Sequence, residues 1–184
     1  VDPDRIYLVG VSGGGHMALL MAGRAPHLWA GVSAWCGISD LAAWHQETKA
    51  AGHCYWQMLE AVCGGAPSSN SEVDAQYQHR SPTSWLPQAK AVPLDIHAGI
   101  TDGHTGSVPV SQSLYAFNSV AEVSQHITDA EITALNAHPE MPLELRQEIC
   151  EPLYGANSAL WRRHSGQARV TLFQGGHQIL PEVA

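Results

Sequence analysis

The sequence predicts an α/β fold with a mostly parallel sheet and flanking helices. Three observations carry that expectation. Short apolar, β-branched runs recur at "RIYLVGV" (Arg5 to Val11), "WAGVSAWCG" (Trp29 to Gly37), "VPLDIHAG" (Val92 to Gly99) and "ARVTLF" (Ala168 to Phe173). Stretches of helical spacing separate them, and a helix between two buried strands is a βαβ unit, which implies parallel pairing. The chain has 184 residues, 45% hydrophobic and 14% charged, which suits a single domain with a real core.

In chain order, Arg5 to Val11 reads as a buried strand. "GGHMALLMAGRAP" reads as a helix with Met17, Leu20 and Met21 on one side and Pro26 beyond its end. Residues 41–90 are expected to be a helical insertion, with short helices at about 42–50, 55–62 and 71–78. The run Val108 to Val123 reads as a helix, with Val110, Leu114, Phe117 and Val120 on one stripe. Residues 124–166 are expected to be a second insertion with one or two helices, so the sheet has four strands. "PEVA" at the end reads as the first turn of a further helix.

Composition excludes some function classes. The net charge is -8, and of nine Lys and Arg only Arg162 and Arg163 are adjacent, so a nucleic-acid partner is not expected. No apolar run is long enough to span a bilayer, and no membrane partner is expected. The four cysteines, Cys36, Cys54, Cys63 and Cys150, form no CxxC pair, which argues against a zinc site. Cys54 and Cys63 either form a disulfide, which would place the protein in a secreted or periplasmic setting, or are buried thiols in a cytoplasmic one.

The chemistry centres on Gly10-Val11-Ser12-Gly13-Gly14. A serine on a tight turn between a strand and a helix is pushed out of the backbone, and the crowding calls for small residues two positions before and two after. The competing reading is a glycine-rich turn that packs helix on strand or cradles a phosphate. Two further residues follow later strands in the order this arrangement requires. Asp102 comes three residues after Gly99, and His177 follows two glycines after Phe173. Ser12, Asp102 and His177 would then each sit at the carboxyl end of a strand, where open parallel sheets build sites. His177 would take the proton of Ser12, Asp102 would orient the imidazole, and the backbone N–H of Gly13 would face the developing oxyanion.

Other candidates are weighed against plainer roles. Asp40 is the competing acid but is expected to cap the helix starting at Leu41. His97, among apolar neighbours, is expected in the core. His104 is either a substrate contact or plain loop. Paired with Asp102 it lacks a third metal ligand, so no metal is expected. Trp44, Trp56 and Trp85 either line a pocket, Trp44 in particular as a substrate contact, or belong to the core.

The chain resembles the prolyl oligopeptidase-type α/β-hydrolases. The resemblance rests on "DPDRIYLVGVSGGGHMAL", "YQHRSPTSWL", "HAGITDGHTGSVPVSQSL" and "FQGGH". It implies a serine hydrolase acting on peptide or ester bonds, without a cofactor, on a small peptide or ester substrate. Against it stand the inserted "GHTGS" (Gly103 to Ser107) and the segment 124–166, which leave peptide and ester open. A binding module that keeps the fold without catalysis is the alternative. The resemblance also implies that residues 1–184 are the C-terminal part of one catalytic domain, with strands and a second oxyanion donor before Val1. Such a piece is expected to be marginally stable and weakly active by itself.

Overall fold

The computed structural model describes residues 2–184. A five-stranded sheet in the order β1-β2-β3-β5-β4 organises it. The strands are β1 (Tyr7–Val11), β2 (Gly31–Trp35), β3 (Leu94–Gly99), β4 (Ala159–Ser165) and β5 (Ala168–Phe173). β1, β2, β3 and β5 run parallel, and β4 pairs antiparallel with β5. The helices are α1 (Gly13–Arg24), α2 (Leu41–Ala50), α3 (Tyr55–Cys63), α4 (Ser71–Arg80), α5 (Val110–Val120) and α6 (Asp129–Ala137).

The expected strands and the three helices of 41–90 appear within two residues of their forecast bounds. Asp40 caps α2 by accepting from the Ala43 N–H at 2.9 Å. Asn70 caps α4 through two backbone N–H groups, and Gly64 ends α3 in the left-handed conformation. The main core lies between the sheet and α1, α5 and α6, around Leu19, Ile96, Leu114, Phe117, Trp161 and Leu172. A second, smaller cluster holds α2, α3 and α4 together through Leu41, Leu59, Val73 and Tyr77.

Five expectations are corrected. First, the sheet has five strands and not four, because part of the segment 124–166 is β4. Three consecutive polar residues, Arg162, Arg163 and His164, mask its apolar pattern. Both arginines are neutralised, Arg162 by Glu151 at 3.0 Å and Arg163 by Glu131 at 2.7 Å. Second, β1 is an edge strand and not a buried one: Tyr7 is 65% exposed and Val9 48%. Third, Met17 faces outward and α1 buries Gly15, Ala18, Leu19, Leu20, Ala22 and Gly23. The helix approaches so closely that a Cβ at Gly15 would lie 2.5 Å from the Trp35 carbonyl and one at Gly23 2.5 Å from the Trp85 backbone.

Fourth, all four cysteines are free; Cys63 is buried but Cys54 is exposed. They stand at opposite ends of α3, about 13 Å apart at 1.5 Å per residue, beyond the reach of a disulfide. The argument for an oxidising compartment falls with the bond. Fifth, the helix expected over Val108 to Val123 is shorter, Val110–Val120, with Pro109 as its N-cap, whereas the terminal "PEVA" forms the single turn expected of it, closed on the Leu180 carbonyl. His97 is in the core as expected. It stacks on Trp35 at 3.9 Å and shares a 2.8 Å hydrogen bond with the Tyr154 hydroxyl.

Candidate active site

Ser12 leaves β1 with φ 58 and ψ -120, a conformation that costs a non-glycine residue about 1–3 kcal/mol. The strain is held from both sides. The Ser12 N–H donates to the Trp35 carbonyl at 2.9 Å, and the His16 N–H donates to the Ser12 carbonyl at 2.8 Å. The hydroxyl makes no capping bond to α1 and so is not spent on the helix. The glycines around it differ in what they do. A Cβ at Gly10 would fall on the Gly14 carbonyl, and one at Gly15 on Trp35, whereas Gly13 and Gly14 face open space. Steric need therefore falls at Gly10 and Gly15, while Gly13 and Gly14 keep the approach to Ser12 clear.

Asp102 sits in the turn that follows β3 and is 1% exposed. One carboxylate oxygen accepts from the N–H of Gly103 at 2.9 Å and of Val108 at 3.3 Å. The other accepts from His177 Nδ1 at 2.7 Å. Because a carboxylate only accepts, the proton is on Nδ1 and the lone pair is on Nε2. This bond raises the His177 pKa above the ordinary 6.5; burial opposes it, and the Asp102 charge adds to it.

The loops carrying the two residues are fastened together. The backbone N–H and the hydroxyl of Thr101 both donate to the Gly175 carbonyl at 3.0 Å. Gly99 has no room for a Cβ against Gly175 and Gly176, and a Cβ at Gly106 would fall on Asp102 and lie 2.9 Å from His177 Cβ. On its other side the histidine loop rests on Cys36, whose sulfur lies 3.8 Å from the Gly176 carbonyl and 3.6 Å from that of Gln178. Cys36 follows Trp35, which is in register with Val11. The loop from β5 thus folds back across β3 to the end of β2, beside the strand that carries Ser12.

A cavity of about 220 Å³ opens at Ser12, bordered by Gly13, His16, Leu41, Trp44, Tyr55 and Ser107. Trp44 is fixed there by its Nε1–H, which donates to the Ser107 carbonyl at 2.8 Å, and its ring lies 5.1 Å from that of Tyr55. Among the expected candidates, Trp44 borders the cavity. Trp56 packs on His45 and Lys49, and Trp85 on His79 and Arg24. His104 is exposed on the acid loop and does not border the cavity. Asp40 is spent on its cap, and His177 bonds to Asp102. A second concavity of about 310 Å³, near Tyr7, Gly31 and Asp95, lies at the opposite end of the strands.

His16 borders the cavity and was not a candidate from sequence. Its Nδ1–H donates to the Ile38 carbonyl at 3.0 Å, and burial lowers its pKa, so the ring is neutral. The signal was its position one helical turn after Ser12, which puts the two on one face.

Residues 1–138 match the prolyl oligopeptidase family. The chain belongs to that family. It is 32% identical over 97 residues to the uncharacterized peptidase YtmA of Bacillus subtilis (strain 168), a match covering 53% of this chain and 35% of that protein. Among solved structures it is similar to the acylaminoacyl peptidase of Pyrococcus horikoshii in an orthorhombic crystal form, with a TM-score of 0.54 at 22% identity over 65% of this chain and 17% of that one. An acylaminoacyl peptidase in complex with Z-Gly-Gly-Phe-chloromethyl ketone gives a TM-score of 0.52 at 21% identity, over 65% and 18%. The chain therefore spans about a third of the curated relative and less than a fifth of each solved chain. The fold it shares with them is that of the α/β-hydrolases, a mostly parallel sheet with flanking helices.

Proposed function

We propose that the protein is a serine hydrolase of the peptidase type, in which Ser12, His177 and Asp102 act as nucleophile, base and orienting acid. The observation that carries this reading is the 2.7 Å bond from His177 Nδ1 to a buried Asp102, residues 75 positions apart, at the sheet end where Ser12 is held in a strained turn. The bond fixes the tautomer that leaves Nε2 able to accept a proton. Ser12 Oγ would attack the substrate carbonyl as its proton passes to Nε2, and Asp102 would stabilise the imidazolium that results. The N–H of Gly13, among the first of α1 and without an intrahelical acceptor, would donate to the oxyanion, aided by the helix dipole. Collapse of the tetrahedral intermediate would return the proton to the leaving amine or alkoxide and leave an acyl group on Ser12. Water would then reverse the sequence.

The cavity beside Ser12 suits an apolar or aromatic group flanking the scissile bond, since Leu41, Trp44 and Tyr55 border it. A peptide is favoured over a simple ester, because the relatives are named as peptidases and one was solved with a peptidyl chloromethyl ketone. The deciding experiment is fluorophosphonate labelling followed by intact mass, on this chain and on Ser12→Ala. One adduct on the parent and none on the variant is expected. A folded parent that takes no label, together with a longer chain carrying the preceding strands that takes none either, would overturn the reading in favour of a binding module.

A further inference from the structure

Cys36 has no part in the acyl transfer proposed above, yet it stands in the middle of its machinery. It leaves β2 with φ 47 and is 1% exposed. Its sulfur, a carboxylate oxygen of Asp102 and a ring nitrogen of His177 all lie within 4.8 Å of one another. Thiolate, imidazole and carboxylate are the donor set of a borderline-soft divalent cation. We propose that Cys36, Asp102 and His177 form a binding site for a d¹⁰ cation such as Zn²⁺ or Cd²⁺, whose occupation shuts the site down. The inhibitory consequence rests on the catalytic reading; the binding does not.

The arrangement needs little movement. A tetrahedral zinc with bonds of about 2.0–2.3 Å holds its donors about 3.5 Å apart, so a pair as far apart as 4.8 Å needs to close by roughly 1 Å, while His177 Nδ1 and the Asp102 oxygen that faces it, 2.7 Å apart, need to part by about as much. The thiol makes long contacts to the Gly176 and Gln178 carbonyls and lies beside Asp102. Asp102 keeps its orientation, because the Gly103 and Val108 N–H groups grip the oxygen that does not face His177. The His177 side chain is 26% exposed, which gives the ion a way in and a fourth position for water.

Binding exchanges one proton for the metal: the Cys36 S–H bond breaks, a sulfur–metal bond forms, the proton goes to solvent, and no oxidation state changes. Either coordination of His177 removes its action as a base. A metal on Nε2 takes the lone pair, and a metal on Nδ1 leaves the proton on Nε2. Oxygen-preferring Mg²⁺ and Ca²⁺ should not compete.

The test is a Cd²⁺ titration of the Ser12→Ala chain with the exposed Cys54 and Cys150 also changed to alanine, read by the ultraviolet thiolate-to-cadmium absorption. One saturating band is expected, unmoved by Mg²⁺. Cys36→Ser should abolish the band, and His177→Gln should weaken binding about tenfold or more. No band from folded protein at millimolar Cd²⁺ would overturn the proposal, as would an unchanged band in Cys36→Ser, which would put the ion on Cys63. Should Cys36→Ser fail to fold, an unchanged midpoint in His177→Gln overturns it equally, since that chain keeps the thiol. A band in this chain, with no phosphonate adduct on its Ser12 parent or on a longer chain carrying the preceding strands, would sink the catalytic reading and leave the metal site standing.

Discussion

The serine turn and the acid–histidine pair are built on different principles. The turn is made by six consecutive residues, Gly10 to Gly15, with one outside anchor, the Trp35 carbonyl, and its geometry is stored in the backbone: a left-handed serine pinned between two hydrogen bonds. The pair is made by three segments, the ends of β2, β3 and β5, and its geometry is stored in contacts between loops. A local device tolerates change at a distance but fails at once when a glycine inside it is replaced. A distributed device spreads its dependence over residues that never touch substrate.

The sharpest way to break the comparison is Asp102→Asn, which presents an N–H₂ to His177 and favours the wrong tautomer. A loss of about 10⁴-fold in kcat with the fold retained is expected, measured by steady-state kinetics and circular dichroism together; a loss under tenfold would deny the pair its role. Next is Gly10→Ala, whose Cβ would collide with the Gly14 carbonyl. It should cost about 3 kcal/mol of stability in urea unfolding, while Gly14→Ala, which meets nothing within 4 Å, should be neutral or gain up to about 1 kcal/mol. Equal losses in the two would mean that the turn is not the constraint. In the distributed device, Gly106→Ala pushes on Asp102 and His177. It should cost about 100-fold in kcat with KM little changed, as small displacements of reacting groups do.

A smaller effect concerns pH, and the two buried-side histidines carry opposite signs. His177 must be neutral to act, and Asp102 raises its pKa, so activity should rise with pH through a midpoint above the ordinary 6.5. The stability of the protonated pair is fully present below 6.5 and is lost as pH climbs through the raised value. His97 is pushed down to about 3, by burial first and by Arg169 and Arg162 after it, so the unfolded chain takes up its proton first. Stability should fall as pH drops from 6.5 towards 3, and His97→Gln should flatten that slope; a parallel slope in the variant would assign it to other groups. The smallest effect expected is at His104: replaced by alanine, it should change neither kcat/KM nor melting temperature, and a tenfold change would return it to the list of substrate contacts.

The same contrast explains what could be read from sequence. The turn was legible because its glycines, its strand and its helix are contiguous. Asp102 and His177 were legible as an ordered pair following strands, but their bond was not. The capped helix α2 announced itself through Asp40. β4 was hidden because its charged centre is neutralised by residues far away in sequence, Glu131 and Glu151. The exposure of Tyr7 and Val9 follows from sheet order, which no local pattern encodes. The supposed disulfide failed for a local reason, a helix lying between the two cysteines. Cys36 was passed over because its neighbours, Gly176 and Gln178, are 140 and 142 positions away.

That separation has a kinetic consequence. The contact that brings the histidine loop to rest on Cys36 closes one of the longest loops in the chain, and contacts of such span form late because their closure entropy is repaid only once the rest is in place. Ser12 can take up its strained turn once β2 has paired with β1, but the proposed base, His177, arrives only when β5 has docked and its loop has crossed the sheet. Chemical reactivity at Ser12 should therefore lag behind secondary structure during refolding, and phosphonate capture timed against circular dichroism would serve as a stopwatch for the last step of assembly.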